Sequence, residues 1–241
     1  MSPSPVPQVR LSIVAAFPKN YFLENLAIRT DNSVLVTALN HKELWYVPSS
    51  PNGIEVAPQL LFTFPHLAMG IVEVMPDVFY ITTSEIYTWS ASHLYRLDLN
   101  GWTPGKPVRP EPILHFPEPV RGLNGSCVVA PGLILLADCF SSSIWRVGLN
   151  MRDGKPKASV WLRHDSMGYF PGQMKPEQPG VNGVQYSPKR GYLYYTSTAK
   201  RLLMRVKVEP ETYHPVGEPE VVGGGRMLMT SVSIKTPALP I

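Results

Sequence analysis

Asn124–Leu149, NGSCVVAPGLILLADCFSSSIWRVGL, reads as three consecutive strands. Asn124 to Ala130 is the first, Leu133 to Cys139 the second and Ile144 to Leu149 the third. Pro131-Gly132 forms the first turn: Pro presets φ at the leading position, and Gly takes positive φ at the next without steric cost. Ser159 to Arg163 supplies a fourth strand.

The unit recurs. Glu24–Thr30, Ser33–Leu39, Glu43–Val47 and Leu60–Phe64 form one ahead of it. Gly70–Val74, Val78–Thr83, His93–Leu99 and Ile113–Phe116 form a second, and Asn182–Tyr186, Tyr192–Ser197, Leu202–Val208 and Glu220–Val222 a fourth. The third strands align without gaps, as LWYV from Leu44, LYRL from Leu94, IWRV from Ile144 and LMRV from Leu203. First strands begin at Glu24, Gly70, Asn124 and Asn182, in steps of about 46 to 58 residues, close to a propeller repeat plus loop insertions. Phe-Pro pairs at Phe17, Phe64 and Phe116 precede three of them. The pattern predicts one all-β domain over residues 1–241, a β-propeller whose sheets are packed on both faces by their neighbours.

Composition agrees. The chain has 241 residues, 44% of them hydrophobic, with 26 Pro and 18 Gly, which suits many short strands joined by turns. No ten-residue stretch carries a 3.6 period, and no apolar run is long enough for a spanning helix, so no membrane partner is expected. The start, MSPSPVPQVRLSIVAAFP, is polar and Pro-rich, which points to a cytoplasmic location and a flexible segment over 1–10. The net charge is +4, but Lys and Arg are scattered, so a solvated surface is expected and no nucleic-acid partner. The hairpin register sets Cys127 opposite about Leu136 and Cys139 opposite about Asn124. That offset is roughly 10 Å along the strands, too far for a disulfide. Both read as reduced core thiols, and no Cys/His spacing points to zinc.

The ends depart from the repeat. Leu11–Phe17 resembles a fourth strand yet precedes the first unit, as a strand that closes a ring on its last blade does. Residues 226–241, RMLMTSVSIKTPALPI, should begin a fifth unit but show no turn, second strand or aromatic third strand. About four blades and a closing strand are therefore expected, with an atypical tail over 226–241. Truncation is the preferred reading and unusual ring closure the alternative; either leaves sheet edges open.

Glu at the first strand of the first unit, in FLENLAI, and Asn-Gly at later ones, in GLNGSCVV and GVNGVQYSP, resemble the senescence-marker-protein/gluconolactonase group of six-bladed propellers. The resemblance implies a metal on the central axis, held by one Glu, two Asn and one Asp. Glu24, Asn124 and Asn182 match three of those positions, while the Asp falls where residues 226–241 carry no acidic side chain. A narrower likeness, in NYFLENLAIR, TALNHKELWYVP and RGLNGSCVVAPGLILLADCF, is to fungal secondary-metabolism members of that group. Some of these are hetero-Diels–Alderases, which join a polyketide- or tropolone-derived quinone methide to a terpene.

In such a ring the starts of the first strands face one mouth of the channel, where a carboxylate and amide oxygens suit Ca²⁺ or Mg²⁺. Alternatively, the Asn-Gly pairs only satisfy backbone groups at blade entries. Two long loops reach that mouth. SEIYTWSAS brings Tyr87 and Trp89, and DSMGYFPGQMKPEQPG brings Tyr169 and Phe170, side chains suited to a bulky apolar small molecule. His66 is a candidate acid/base or donor, Arg121 a donor to an oxyanion, and Asp138 a third catalytic candidate at the end of a second strand. A lone His is more often structural. The readings are a pericyclase, which requires no cofactor, a Ca²⁺- or Mg²⁺-dependent lactonase, and a non-catalytic propeller.

Overall fold

The computed structural model describes residues 12–88, 91–117, 120–149, 154–175 and 178–225. The chain is all-β, and the four expected units are four four-stranded antiparallel sheets, each in plain sequence order. Blade one is β1 (Leu23–Ile28), β2 (Val34–Ala38), β3 (Glu43–Val47) and β4 (Gln59–Thr63). Blade two is β5 (Leu67–Met75), β6 (Val78–Ser84), β7 (Ser92–Asp98) and β8 (Glu111–His115). Blade three is β9 (Leu123–Ala130), β10 (Leu133–Asp138), β11 (Ser143–Gly148) and β12 (Lys157–Arg163). Blade four is β13 (Val181–Ser187), β14 (Tyr192–Ser197), β15 (Leu202–Val208) and β16 (Pro215–Gly224). Among the described residues no helix is long and apolar enough to cross a membrane.

The first hairpin of every blade turns through one residue of positive φ. These are Asn32 at 65°, Asp77 at 59°, Gly132 at 69° and Gly191 at 68°, types that tolerate the left-handed region. Bulges shift the register of β9 on β10, so Cys127 stands opposite Leu135 and Leu123 opposite Asp138. Both cysteines are free and buried.

Strand alternation sends one set of side chains to each neighbouring blade. Leu35, Leu44 and Tyr46 meet Phe79, Ile81 and Leu97 between blades one and two. Tyr80 and Leu94 meet Ile134, Leu136 and Trp145 between blades two and three. Leu135 and Ile144 meet Leu193, Tyr195 and Met204 between blades three and four. The Phe-Pro marks acquire a physical meaning here. Phe64 and Phe116 are each buried in the core between their own blade and the next, and such a side chain contributes about 2 kcal/mol.

One expectation is corrected. Residues 12–17 form no strand and complete no blade. The segment lies on blade one: Val56 N–H donates to Val14 O at 2.8 Å, and Phe17 sits edge-on to Trp45 at 5.5 Å. These contacts hold it against the sheet that follows it in the chain. Leu11 and the 226–241 tail lie outside the described residues.

Candidate active site at the mouth of the inner strands

The inner strands β1, β5, β9 and β13 come together at backbone contact. A Cβ on Gly70 would stand 2.0 Å from the Asn124 carbonyl oxygen, and one on Gly125 would stand 2.2 Å from that of Asn182. The Gly of the Asn-Gly pattern is therefore explained by close backbone approach alone.

The preceding residue carries the chemistry. Asn124 Nδ2 donates to Glu24 Oε1 at 2.7 Å, a bond from blade three to blade one that passes over blade two. Asn25 Nδ2 donates to Asn124 Oδ1 at 2.7 Å and to Met69 O at 3.3 Å. Thr37 Oγ1 accepts from Asn25 N–H at 3.0 Å and donates to Met69 O at 2.7 Å. Asn25 and Thr37 were absent from the sequence reading. The chain signals them only by adjacency to Glu24 and by a hydroxyl in a buried second strand. In blade two the position before the crossing glycine is Met69, so the polar set is interrupted there.

Beside this set lies an apolar floor of Leu67, Met69, Ile86, Cys139 and Phe140, with Tyr169 packed against it. Burial raises the Glu24 carboxyl above the ordinary glutamate range, and the Asn124 hydrogen bond offsets part of that rise. Burial also pushes the Cys139 thiol well up, helped by the nearby Asp138 and Glu24 charges, so it is no ready nucleophile.

Glu24, Asn124 and Asn182 supply one carboxylate and two amides as hard donors. Asn182 is 4% exposed. Asn124, however, turns its Nδ2 toward Glu24 and gives its oxygen to Asn25. Among the described residues no three His, Cys, Asp or Glu side chains converge on a common point. The described residues do not make a complete cation shell.

Asp138 is fully buried, and its carboxylate gathers the loops. It accepts from the backbone N–H groups of Arg121, Gly122, Phe140 and Ser141 and from the Ser141 hydroxyl. Burial raises its pKa, and those bonds oppose the rise. Its geometry is that of a positioning residue beneath the mouth. Tyr169 fastens the next loop: its hydroxyl donates to Cys139 O at 3.0 Å and accepts from Gly180 N–H at 3.0 Å.

Between blades three and four the same loops border an open cavity of about 770 Å³. Arg121, Arg163 and Lys200 line it with Asp165, Tyr169 and Phe170. Three sequence-predicted residues, Arg121, Tyr169 and Phe170, thus meet at one site, with Asp138 under them. His66 stands apart. It stacks on His93 at 5.4 Å, and His93 meets His115 edge-on at 4.6 Å, forming a histidine group on blade two that no sequence motif announces. Among the described residues no hydrogen bond links His66 to Glu24, Asn124 or Asp138. Tyr87 is exposed on its loop, and Trp89 lies outside the described residues.

No family model and no curated protein sequence matches the chain. Solved structures do. The periplasmic gluconolactonase of Pseudomonas aeruginosa is similar with a TM-score of 0.58 at 12% identity, over 83% of this chain and 57% of that one. A calcium-binding regucalcin from Agrobacterium tumefaciens gives 0.55 at 14%, over 88% and 64%. A protein described as a 6-phosphogluconolactonase, from Bacteroides uniformis, gives 0.56 at 16%, over 82% and 55%. The chain spans less than two thirds of the length of each. The likeness is one of fold: the four sheets are blades of a β-propeller.

Proposed function

We propose that the mouth is a catalytic site for an apolar-bodied small molecule, and that its reaction is a pericyclic addition of the hetero-Diels–Alder kind. The observation that carries this reading is Glu24, a carboxyl raised by burial and held by Asn124 beside an apolar floor. Burial favours the protonated form of this carboxyl, and in that form it would donate a hydrogen bond to the oxygen of a conjugated carbonyl, such as a quinone methide. That draws electron density from the diene and lowers the barrier to addition of an alkene. The floor of Leu67, Met69 and Phe140 receives the hydrocarbon partner and holds it in a near-attack geometry without water. No residue forms a covalent bond, and Asp138 and Tyr169 keep the loops in place.

A second reading is a metal-dependent lactonase, favoured by the buried Asn182 at the crossing of β9 and β13, which adds a hard donor to Glu24 and Asn124. The names of the similar structures, a gluconolactonase among them, favour it too. The fungal secondary-metabolism likeness of the sequence supports the first reading, with a terpene alkene as the second reactant. The two separate in one assay. An ortho-quinone methide generated in situ is mixed with humulene and the protein, with and without EDTA, and the cycloadduct is quantified. The pericyclase reading expects adduct formation above background that EDTA leaves unchanged and Glu24→Ala abolishes. Hydrolysis of a sugar lactone, lost on chelation and restored by Ca²⁺, would overturn it.

A further inference from the structure

We infer that the cavity between blades three and four is a separate binding site for an aromatic carboxylate. Among the described residues, Arg163 and Lys200 face it beside the Asp165 carboxylate, with Arg121 at its wall. Lys200 Nζ is anchored on Asp165 O at 2.5 Å and lies 5.4 Å over the Phe170 ring. His164, at the rim, is committed elsewhere: its Nδ1 meets Ser166 Oγ at 2.8 Å, and its Nε2 lies 3.6 Å from Glu218. Phe170 is half exposed, so the cavity joins an open aromatic face to the cations of Arg163 and Lys200. Its volume of about 770 Å³ suits a small organic molecule.

The form of the anion follows from Asp138. The loop amides that would cradle a phosphate are those of Arg121, Gly122, Phe140 and Ser141, and the Asp138 carboxylate already occupies all four. The cavity is left with side-chain cations. A guanidinium fork matches a planar carboxylate in two parallel hydrogen bonds, and the Phe170 face stacks on a ring attached to it. The site is distinct from the Glu24 carboxyl and does not depend on what the mouth catalyses.

Isothermal titration of the full chain with three probes tests this: 2-naphthoate, its neutral isostere 2-naphthamide, and inorganic phosphate. The amide is expected to bind about tenfold or more weaker than the acid, because it forfeits the charge-assisted bonds. Phosphate is expected to bind more weakly than naphthoate. Arg163→Gln and Lys200→Gln each reduce naphthoate affinity about five- to tenfold with Tm unchanged, and Phe170→Ala weakens both aromatic probes. Glu24→Gln leaves naphthoate binding intact, which separates this site from the proposed reaction. Equal binding of acid and amide, full affinity in both charge variants, phosphate matching naphthoate, or no naphthoate binding at millimolar concentration would each overturn the inference.

Discussion

The mouth of the inner strands and the cavity beside it are built by the same loops, yet they treat polar groups in opposite ways. At the mouth, Glu24, Asn124 and Asn25 satisfy one another next to an apolar floor, and desolvation governs the carboxyl. In the cavity, Lys200 rests on the Asp165 backbone oxygen and over the Phe170 ring, and Arg163 is exposed. Asp138 stands between the two as a buried carboxyl that satisfies four loop amides. The lesson is that a buried acceptor placed below a site can decide what the site above it recognises. Here it removes the amides and leaves the side chains.

Breaking that arrangement at Asp138 has the largest expected effect. Asp138→Ala strands the four amides and is expected to cost about 4 kcal/mol in denaturant unfolding, with naphthoate affinity falling as the loops loosen. Loss of affinity in Asp138→Asn, with most stability retained, would sharpen its positioning role. The backbone crossing comes next. Gly125→Ala puts a methyl 2.2 Å from the Asn182 oxygen and is expected to cost about 3 kcal/mol, lowering Tm by roughly 6–12 °C. Gly132→Ala tests the turn instead, where the positive φ of 69° makes the cost about 1 kcal/mol.

Two smaller effects separate the regions by pH. The folded Glu24 pKa lies above its unfolded value, so the native state binds the extra proton. Its contribution to stability is complete below the ordinary glutamate pKa and is lost as pH rises through the raised value. Glu24→Gln removes that slope, and Tm at neutral pH stays level or rises. The His93 ring has the opposite sign. Burial, with His115 and His66 beside it, lowers its pKa, so the unfolded state binds the proton more readily. Stability is full above the ordinary imidazole pKa of about 6.5 and is lost as pH falls below it. His93→Gln flattens this limb of a thermal-melt series, whereas an unchanged limb would remove the histidine group from the account.

The fold was legible because local signals repeat. Third strands such as LWYV and IWRV align, and a turn residue that tolerates positive φ recurs in each blade. Each independent match raised the weight of the others. The site was legible in part, since Glu24, Asn124 and Asn182 fall at equivalent points of the repeat. Asn25 and Thr37 were not, because their roles arise from bonds between blades that no local spacing records. Asp138 drew attention for its position, but the five donors converging on it come from two loops, and only the fold brings them together. Leu11–Phe17 shows the limit of pattern. Its apolar run and Phe-Pro end match a fourth strand, yet among the described residues 12–17 pair with no strand, and Phe17 packs on Trp45 instead.

The central claim is that burial beside the apolar floor raises the Glu24 carboxyl above the ordinary glutamate range. The most direct test is a ¹³C NMR titration of side-chain carboxyls in the parent protein and in Glu24→Gln, repeated with millimolar Ca²⁺. The account predicts a resonance, absent from the variant, that titrates above the ordinary glutamate pKa of about 4.3 and is unmoved by Ca²⁺. A resonance that titrates at or below that value, or that shifts when Ca²⁺ is added, would contradict it.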